Sequence, residues 1–278
     1  PALYRATRRV TVDWRTGKPI ALETLAEEIG SQQQCLVIVN LRKHARTLAG
    51  ALETWTEKGS LFYLTTDLCI RHRTAVLEEV HRRLANGLPC TLVATQCVEA
   101  GVDLDFPVLY RALGPLESII QAAGRCNRNG AAPDGRVTVF IPDTEGTLYP
   151  SDWYQWQSEC VQEMLSQGPV DLQNPEQIRM YFDLCYRQGT PETPELTQAI
   201  QMLDFATVAR KYRLIDGGQY HVVVPYGKVP VTLDSVLAQG LTPKTMRLLR
   251  PCVVSTYSHN APDFCDQLPL KIPGGFPS

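Results

Sequence analysis

The chain has 278 residues, of which 44% are hydrophobic and 20% charged, with a formal net charge of −2 at pH 7. Such a length suits about two domains, and the composition excludes disorder and collagen-like repeats. The charge excludes a generally basic nucleic-acid binder, although cations recur locally at Arg8/Arg9, Arg42/Lys43/Arg46, Arg71/Arg73, Arg82/Arg83 and Arg210/Lys211/Arg213.

Residues 7–13 (RRVTVDW) alternate as a half-buried strand, and Gly17-Lys18 reads as the turn after it. Leu22, Leu25, Ala26 and Ile29 then repeat at helical spacing. The runs 35–39, 61–65, 91–95, 108–113 and 137–141 are short, apolar and rich in β-branched residues, as strands buried on both faces are. Leu41, Ala45, Leu48, Leu52 and Trp55 predict one intervening helix, ahead of Gly59; Val76, Leu77, Val80 and Leu84 predict another, ahead of Gly87. Repeated strand and helix units mean an α/β fold, a mostly parallel sheet covered on both faces, whose ligands bind outside the carboxyl ends of the strands. After about residue 145 the rhythm changes. Helices are expected near 153–166, 175–187, 193–203, 233–239 and 243–249, with strands at 220–226 and 252–258, a smaller α+β domain over 146–278 after a first domain over 1–145. The basic end of 204–216 reads as a surface helix, and the Pro/Gly-rich tail as loosely held.

Two stretches carry chemistry. A strand ending at Thr95 leads into "VEAGVD" (98–103), and sixteen residues after Asp105 comes "QAAGRCNRNG" (121–130). This ordered pair resembles motifs V and VI of superfamily 2 helicases. On a helix, Gln121, Gly124, Arg125 and Arg128 share one face, so the two guanidiniums project together, and Gly124 lets that face approach a neighbour closely. A planar guanidinium donates in pairs to phosphate oxygens, and an arginine finger is typically worth ~10³ to 10⁵ in the rate of phosphoryl transfer. The plainer reading is a charged helix end, stopped by Asn129-Gly130.

Residues 101–130 (GVDLDFPVLYRALGPLESIIQAAGRCNRNG) narrow the resemblance to the CRISPR-associated helicase-nuclease that degrades DNA in type I systems. "LVIVNLRKHA" (36–45) is similar to its motif IV, and "YLTTDLCIRHR" (63–73) is similar to a run of its subtype C branch; the match covers most of 35–130. The resemblance implies a second RecA-like lobe, with Arg125 and Arg128 facing the γ-phosphate of ATP and Gln121 placing the nucleotide or its attacking water. Asp103, beside Gly101, is implied to meet the ribose or link the two sites. Thr95 resembles the threonine that holds a phosphate of the tracked DNA strand. Asn40, Arg42 and Arg73 are weaker nucleic-acid candidates, for which a solvated helix face is an equal reading. Alternatives stay open: Thr95 as a cap of the next turn, Gly101 as a tight bend, Asp103 as an acceptor of backbone N–H groups. Leu41 departs from the family, which more often has Thr there.

No GxxxxGK[ST] phosphate loop and no His-Asp metal pair occurs in the sequence. ATP with Mg²⁺ is therefore expected to be shared with a first lobe elsewhere, and the nuclease metals to belong to an N-terminal domain. Residue 1 is Pro and the first methionine is Met164, so a piece of a longer polypeptide is expected, inactive as an ATPase alone. The implied partners are single-stranded DNA, the first lobe and nuclease domain of the same protein, and the RNA-guided surveillance complex; the C-terminal domain would cover the DNA path or face that complex. The nine cysteines form no CxxC pair and are expected to be reduced thiols, without disulfide or zinc. No apolar run approaches the ~20 residues of a membrane helix, so a cytoplasmic location without membrane contact is expected. Two other readings remain: a noncatalytic nucleic-acid or protein docking module with a degenerate motor lobe, and another superfamily 2 helicase.

Overall fold

Six strands, all paired in parallel, form the main sheet: β1 (Val10–Ala21), β2 (Gln34–Ile38), β3 (Leu61–Leu64), β4 (Cys90–Ala94), β5 (Val108–Ala112) and β6 (Gly135–Asp143), in the order β1-β6-β5-β2-β4-β3. A computed structural model describes residues 9–130, 134–188, 194–211, 219–224, 226–227 and 242–257. The expected helix at 233–239 and the tail lie outside the described residues, as do Arg8, Arg213, His259 and Cys265.

The alternation of a strand decides what each face buries. Cys35, Val37 and Val39 point to the side covered by α1 (Leu22–Gly30) and α2 (Arg42–Leu52), where Leu25, Ile29, Leu48 and Leu52 are fully buried. Leu36, Ile38, Leu92 and Leu109 point to the side of α3 (Ile70–Ala85), α4 (Leu116–Ala123), α5 (Asp152–Gln167) and α6 (Pro175–Gln188), against Val80, Ile119, Val161 and Tyr181. This is the α/β, RecA-like arrangement with helices on both faces.

Two local expectations fail. Gly17-Lys18 does not end the first strand: β1 shifts register between Arg15 and Ile20 and then continues beside β6 as far as Ala21. The break in register takes up residues 16–19, which face the single residue Ile141 of β6. Trp55 lies past the end of α2 and is 48% exposed rather than on its buried face.

By contacts the chain forms two compact units, the first comprising 1–66 and 73–188, the second 67–72 and 189–278. The sheet ends at Asp143, near the expected boundary at 145, yet α5 and α6 pack within the first unit. Glu117 of α4 pins both, accepting from Gln157 Nε2 at 3.0 Å and from the buried Tyr181 hydroxyl at 2.8 Å. The second unit is α+β: α7 (Pro194–Gln201), α8 (Phe205–Lys211) and α9 (Pro243–Leu249), with an antiparallel pair of β7 (Gln219–Val223) and β8 (Val253–Tyr257). Thr242 and Thr245 form a reciprocal capping box that starts α9. Within this unit the His72 and Tyr226 rings stack at 4.1 Å.

The eight cysteines among the described residues are free. Burial pushes the Cys90, Cys126 and Cys160 thiols up to about 12, so they act as small apolar side chains rather than nucleophiles. No helix of the described residues is long and apolar enough to cross a membrane.

Candidate functional site

The candidate residues separate onto opposite edges of the sheet. Asn40 follows β2 and Thr95 follows β4, while Arg42 opens α2 and Arg73 lies in the first turn of α3, so all four stand at the carboxyl ends of the strands. Residues 95–107 then cross the molecule. Phe106 pairs with Cys126 just ahead of β5, and Arg128 lies beside Asp105 there, which places the two motif arginines at the amino ends.

The helix carrying "QAAGRCNRNG" is shorter than its spacing predicts. It stops at Ala123, so Gln121, Arg125 and Arg128 do not share a helix face. The reason is tertiary. Arg125 and Cys126 close tight turns onto Ala122 O and Ala123 O, and the next backbone groups are taken by Phe106: its N–H donates to Arg125 O at 3.0 Å, and Asn127 N–H donates to its carbonyl at 2.9 Å. Asn127 then adopts φ +47°, a left-handed conformation that Asn tolerates better than most residues. Asn129-Gly130 is not the stop. Nor does Gly124 serve a close approach to a neighbouring element, because an added Cβ there meets the carbonyls of Gln121 at 3.3 Å and Ile120 at 3.6 Å.

The arginines converge all the same, on the 99–105 loop rather than along a helix. Arg125 Nη2 donates to Glu99 O at 2.6 Å, and its buried Nε has no hydrogen-bond partner. Arg128 Nη1 donates to Asp103 Oδ1 at 2.6 Å, and the backbone N–H groups of Arg128 and Asn129 are taken by Asp105 at 2.8 and 3.0 Å. Gly101 supports the bend of this loop with φ +73°, a conformation unfavourable for residues with a Cβ. The backbone-accepting role left open for Asp103 falls to Asp105 instead. Asp103, Asp105, Asn127, Asn129, His81 and Gln34 line a cleft of about 490 Å³, and His81 Nε2 meets Asp103 O from α3. Gln121 is exposed on the last turn of α4.

These groups fit a nucleotide phosphate: one half-buried guanidinium has an unused Nε donor, and the other is held by a surface ion pair with side-chain exposures of 45% and 83%. Such exposed pairs are worth only about 0–1 kcal/mol, so a phosphate can replace the carboxylate at small cost. Among the described residues no group of three or more His, Cys, Asp or Glu is arranged to hold a metal ion.

At the carboxyl edge, Thr95 is 5% exposed; its hydroxyl donates to Cys97 Sγ at 3.6 Å and does not cap the following turn. Cys97 lies near enough to Arg73 for that cation to favour its thiolate, though burial dominates and pushes the thiol up. Asn40 is committed inward. Its Nδ2 donates to Leu113 O at 2.7 Å, and its Oδ1 accepts from Arg111 Nη1 at 2.7 Å and from the Tyr154 hydroxyl at 3.0 Å. With both Oδ1 lone pairs occupied, Asn40 shapes the loop after β2 rather than presenting its carbonyl to DNA. The Arg82/Arg83 cluster is balanced by Glu79, and Lys43 donates to Glu145 O.

Sequence reasoning missed a buried ion pair. Arg111 is 0% exposed inside β5, and its Nη2 lies 2.9 Å from Glu99 Oε1 at an angle short of a hydrogen bond. Burial raises the Glu99 pKa, opposed by Arg111 and a hydrogen bond from Ser118. Gly114 makes room for the guanidinium: a Cβ there would lie 2.8 Å from the Tyr154 hydroxyl and 3.2 Å from Arg111 Nη2. The signal was visible, since "VLYRAL" places an arginine within an otherwise apolar strand.

Residues 31–131, which hold both edges of this site, match the family described as CRISPR-associated nuclease/helicase Cas3, C-terminal. Over this stretch the chain is similar to the C-terminal part of Cas3. A Cas3 nuclease/helicase of Haloferax volcanii is 44% identical over 84 residues, covering 28% of this chain and 9% of the relative. One of Methanothermobacter thermautotrophicus is 27% identical over 121 residues, covering 42% and 14%. The chain thus spans a small part of the curated Cas3 relatives it matches. Among solved structures, that of T. fusca Cas3 with AMPPNP superposes with a TM-score of 0.61 at 18% identity, over 90% of this chain and 36% of that one. A chain of a pre-nicking CRISPR RNA-guided surveillance complex superposes at 0.56 with 16% identity, over 90% and 37%. These likenesses show that the Cas3 fold is shared.

Proposed function

We propose that this chain is the second motor lobe and C-terminal domain of an ATP-dependent DNA helicase-nuclease that unwinds and degrades foreign DNA in type I CRISPR interference. The observation that carries the reading is the convergence of Arg125, Arg128 and Asp103 at one edge of a Cas3-type lobe, with Thr95 at the other. Arg125 and Arg128 stabilise charge developing on the γ-phosphoryl group, Gln121 helps to place the nucleotide or its attacking water, and Asp103 leaves Arg128 to meet the ribose. Bound ATP with Mg²⁺ supplies the phosphoanhydride, and its other contacts come from a first lobe. Thr95, Arg42 and Arg73 hold backbone phosphates of single-stranded DNA without reading sequence. Asn40 acts behind them.

The motor lobe is residues 1–145, with α5 and α6 packed on it as an extension; the accessory domain follows and faces the DNA path or the surveillance complex. The nuclease domain and its metals belong to other parts of the polypeptide. Alone, this chain hydrolyses no ATP, because the phosphate-loop motif does not occur in its sequence.

The test is ATP hydrolysis by the longer polypeptide that carries a first lobe. Stimulation by single-stranded DNA, with an apparent affinity that falls steeply as salt rises, is the expected result. Hydrolysis indifferent to DNA contradicts the reading.

A further inference from the structure

Burying a carboxylate and a guanidinium is an expensive way to fill a core, and apolar side chains of similar volume often serve as well or better. The Glu99–Arg111 pair is therefore a place to ask what the charges hold. Arg111 Nη1 donates to Asn40 Oδ1 and to Ala112 O, both at 2.7 Å, and Nη2 donates to the Tyr154 hydroxyl at 2.8 Å. Gln96 Nε2 joins the same cluster, donating to Asn40 O at 3.1 Å and to the Tyr154 hydroxyl at 3.3 Å. Glu99 faces two ways: its carboxylate meets Arg111, while its backbone carbonyl accepts from Arg125 at 2.6 Å.

We propose that Glu99 and Arg111 are positioning residues that lock the 95–101 segment to Asn40 and Tyr154, so that a shift of Arg125 at the nucleotide edge is delivered to Thr95 at the DNA edge. Only three residues separate Thr95 from Glu99, and Gln96 among them is tied to the same hub. A displacement of the Glu99 carbonyl is then carried by the ion pair instead of being lost in a slack loop. The inference rests on the motor reading above.

The experiment uses the longer polypeptide with its first lobe. The double variant Glu99→Leu/Arg111→Met removes both charges at similar volume and keeps the Glu99 carbonyl that Arg125 needs. The expected result is a melting temperature at or above wild type, DNA-independent ATP hydrolysis within about twofold, and stimulation by single-stranded DNA reduced roughly tenfold or more, a usual size for coupling between two sites. A folded double variant with full stimulation overturns the proposal. Should the double variant not fold, Arg111→Lys keeps the charge but not the planar fork: lost stimulation with basal hydrolysis retained supports the proposal, and unchanged stimulation overturns it. A wild-type polypeptide without DNA stimulation overturns the motor reading and this role together, whereas stimulation intact in wild type and variants alike overturns this role alone.

Discussion

Arg111 and Gly114 depend on one another. The guanidinium fits beside Tyr154 because residue 114 has no side chain. Gly114→Ala is expected to destabilise by about 1–3 kcal/mol, the usual cost of forcing extra volume into a packed site, read as a lower midpoint in denaturant. Removing one charge is worse than removing both: Glu99→Ala strands a buried guanidinium and is expected to cost about 3–5 kcal/mol. Equal stability of Glu99→Ala and Glu99→Leu/Arg111→Met would show that the pair carries no buried charge. His44 adds a pH dependence. It is buried on α2 with Nε2 3.0 Å from Thr144 Oγ1, and burial, with Lys43, lowers its pKa below 6.5. A base depressed in the folded state contributes stability that is present above its unfolded value and lost as pH falls through the folded one. Acidifying from about pH 7.5 to about pH 5.5 should therefore lower the melting temperature of wild type more than that of His44→Gln. Parallel pH profiles would remove His44 as the cause.

Elements were more legible in the sequence than their ends. Strands at 35–39 and 91–95 and the helix ahead of Gly87 were readable because burial on both sheet faces, or on one helix face, leaves a periodic trace. What ends an element is often a partner far away in sequence. Nothing near Ala123 announces that Phe106 will take the backbone of 125–127, and nothing near Gly17 announces that β6 will carry β1 on to Ala21. The site follows the same division: the motif arginines and Asp103 were legible by residue type and order, whereas the roles of Asn40 and Glu99 depend on a hub assembled from four separate stretches. Attachment of α6 to the lobe is testable at this scale. Tyr181→Phe strips the hydroxyl that donates to Glu117 and is expected to cost about 1 kcal/mol, the net worth of a typical hydrogen bond. An unchanged denaturation midpoint would mean that packing alone holds α6.

Across the whole first unit, the sheet keeps its two groups of candidates apart, with the cations and the hydroxyl proposed for DNA where the strands end and the arginines proposed for ATP where they begin. The 95–107 segment is the short path between them. That arrangement suits a lobe that completes an ATP site with another lobe while gripping a strand on its other edge, and the Arg128–Asp103 pair is weak enough to exchange for a phosphate. The most direct measurement is single-stranded DNA-stimulated ATP hydrolysis by Arg128→Ala in the longer polypeptide that carries the first lobe. A fall in kcat of about 10³-fold or more, the scale of an arginine finger, is the predicted result; stimulated hydrolysis undiminished by the substitution would contradict the assignment of this lobe to the motor.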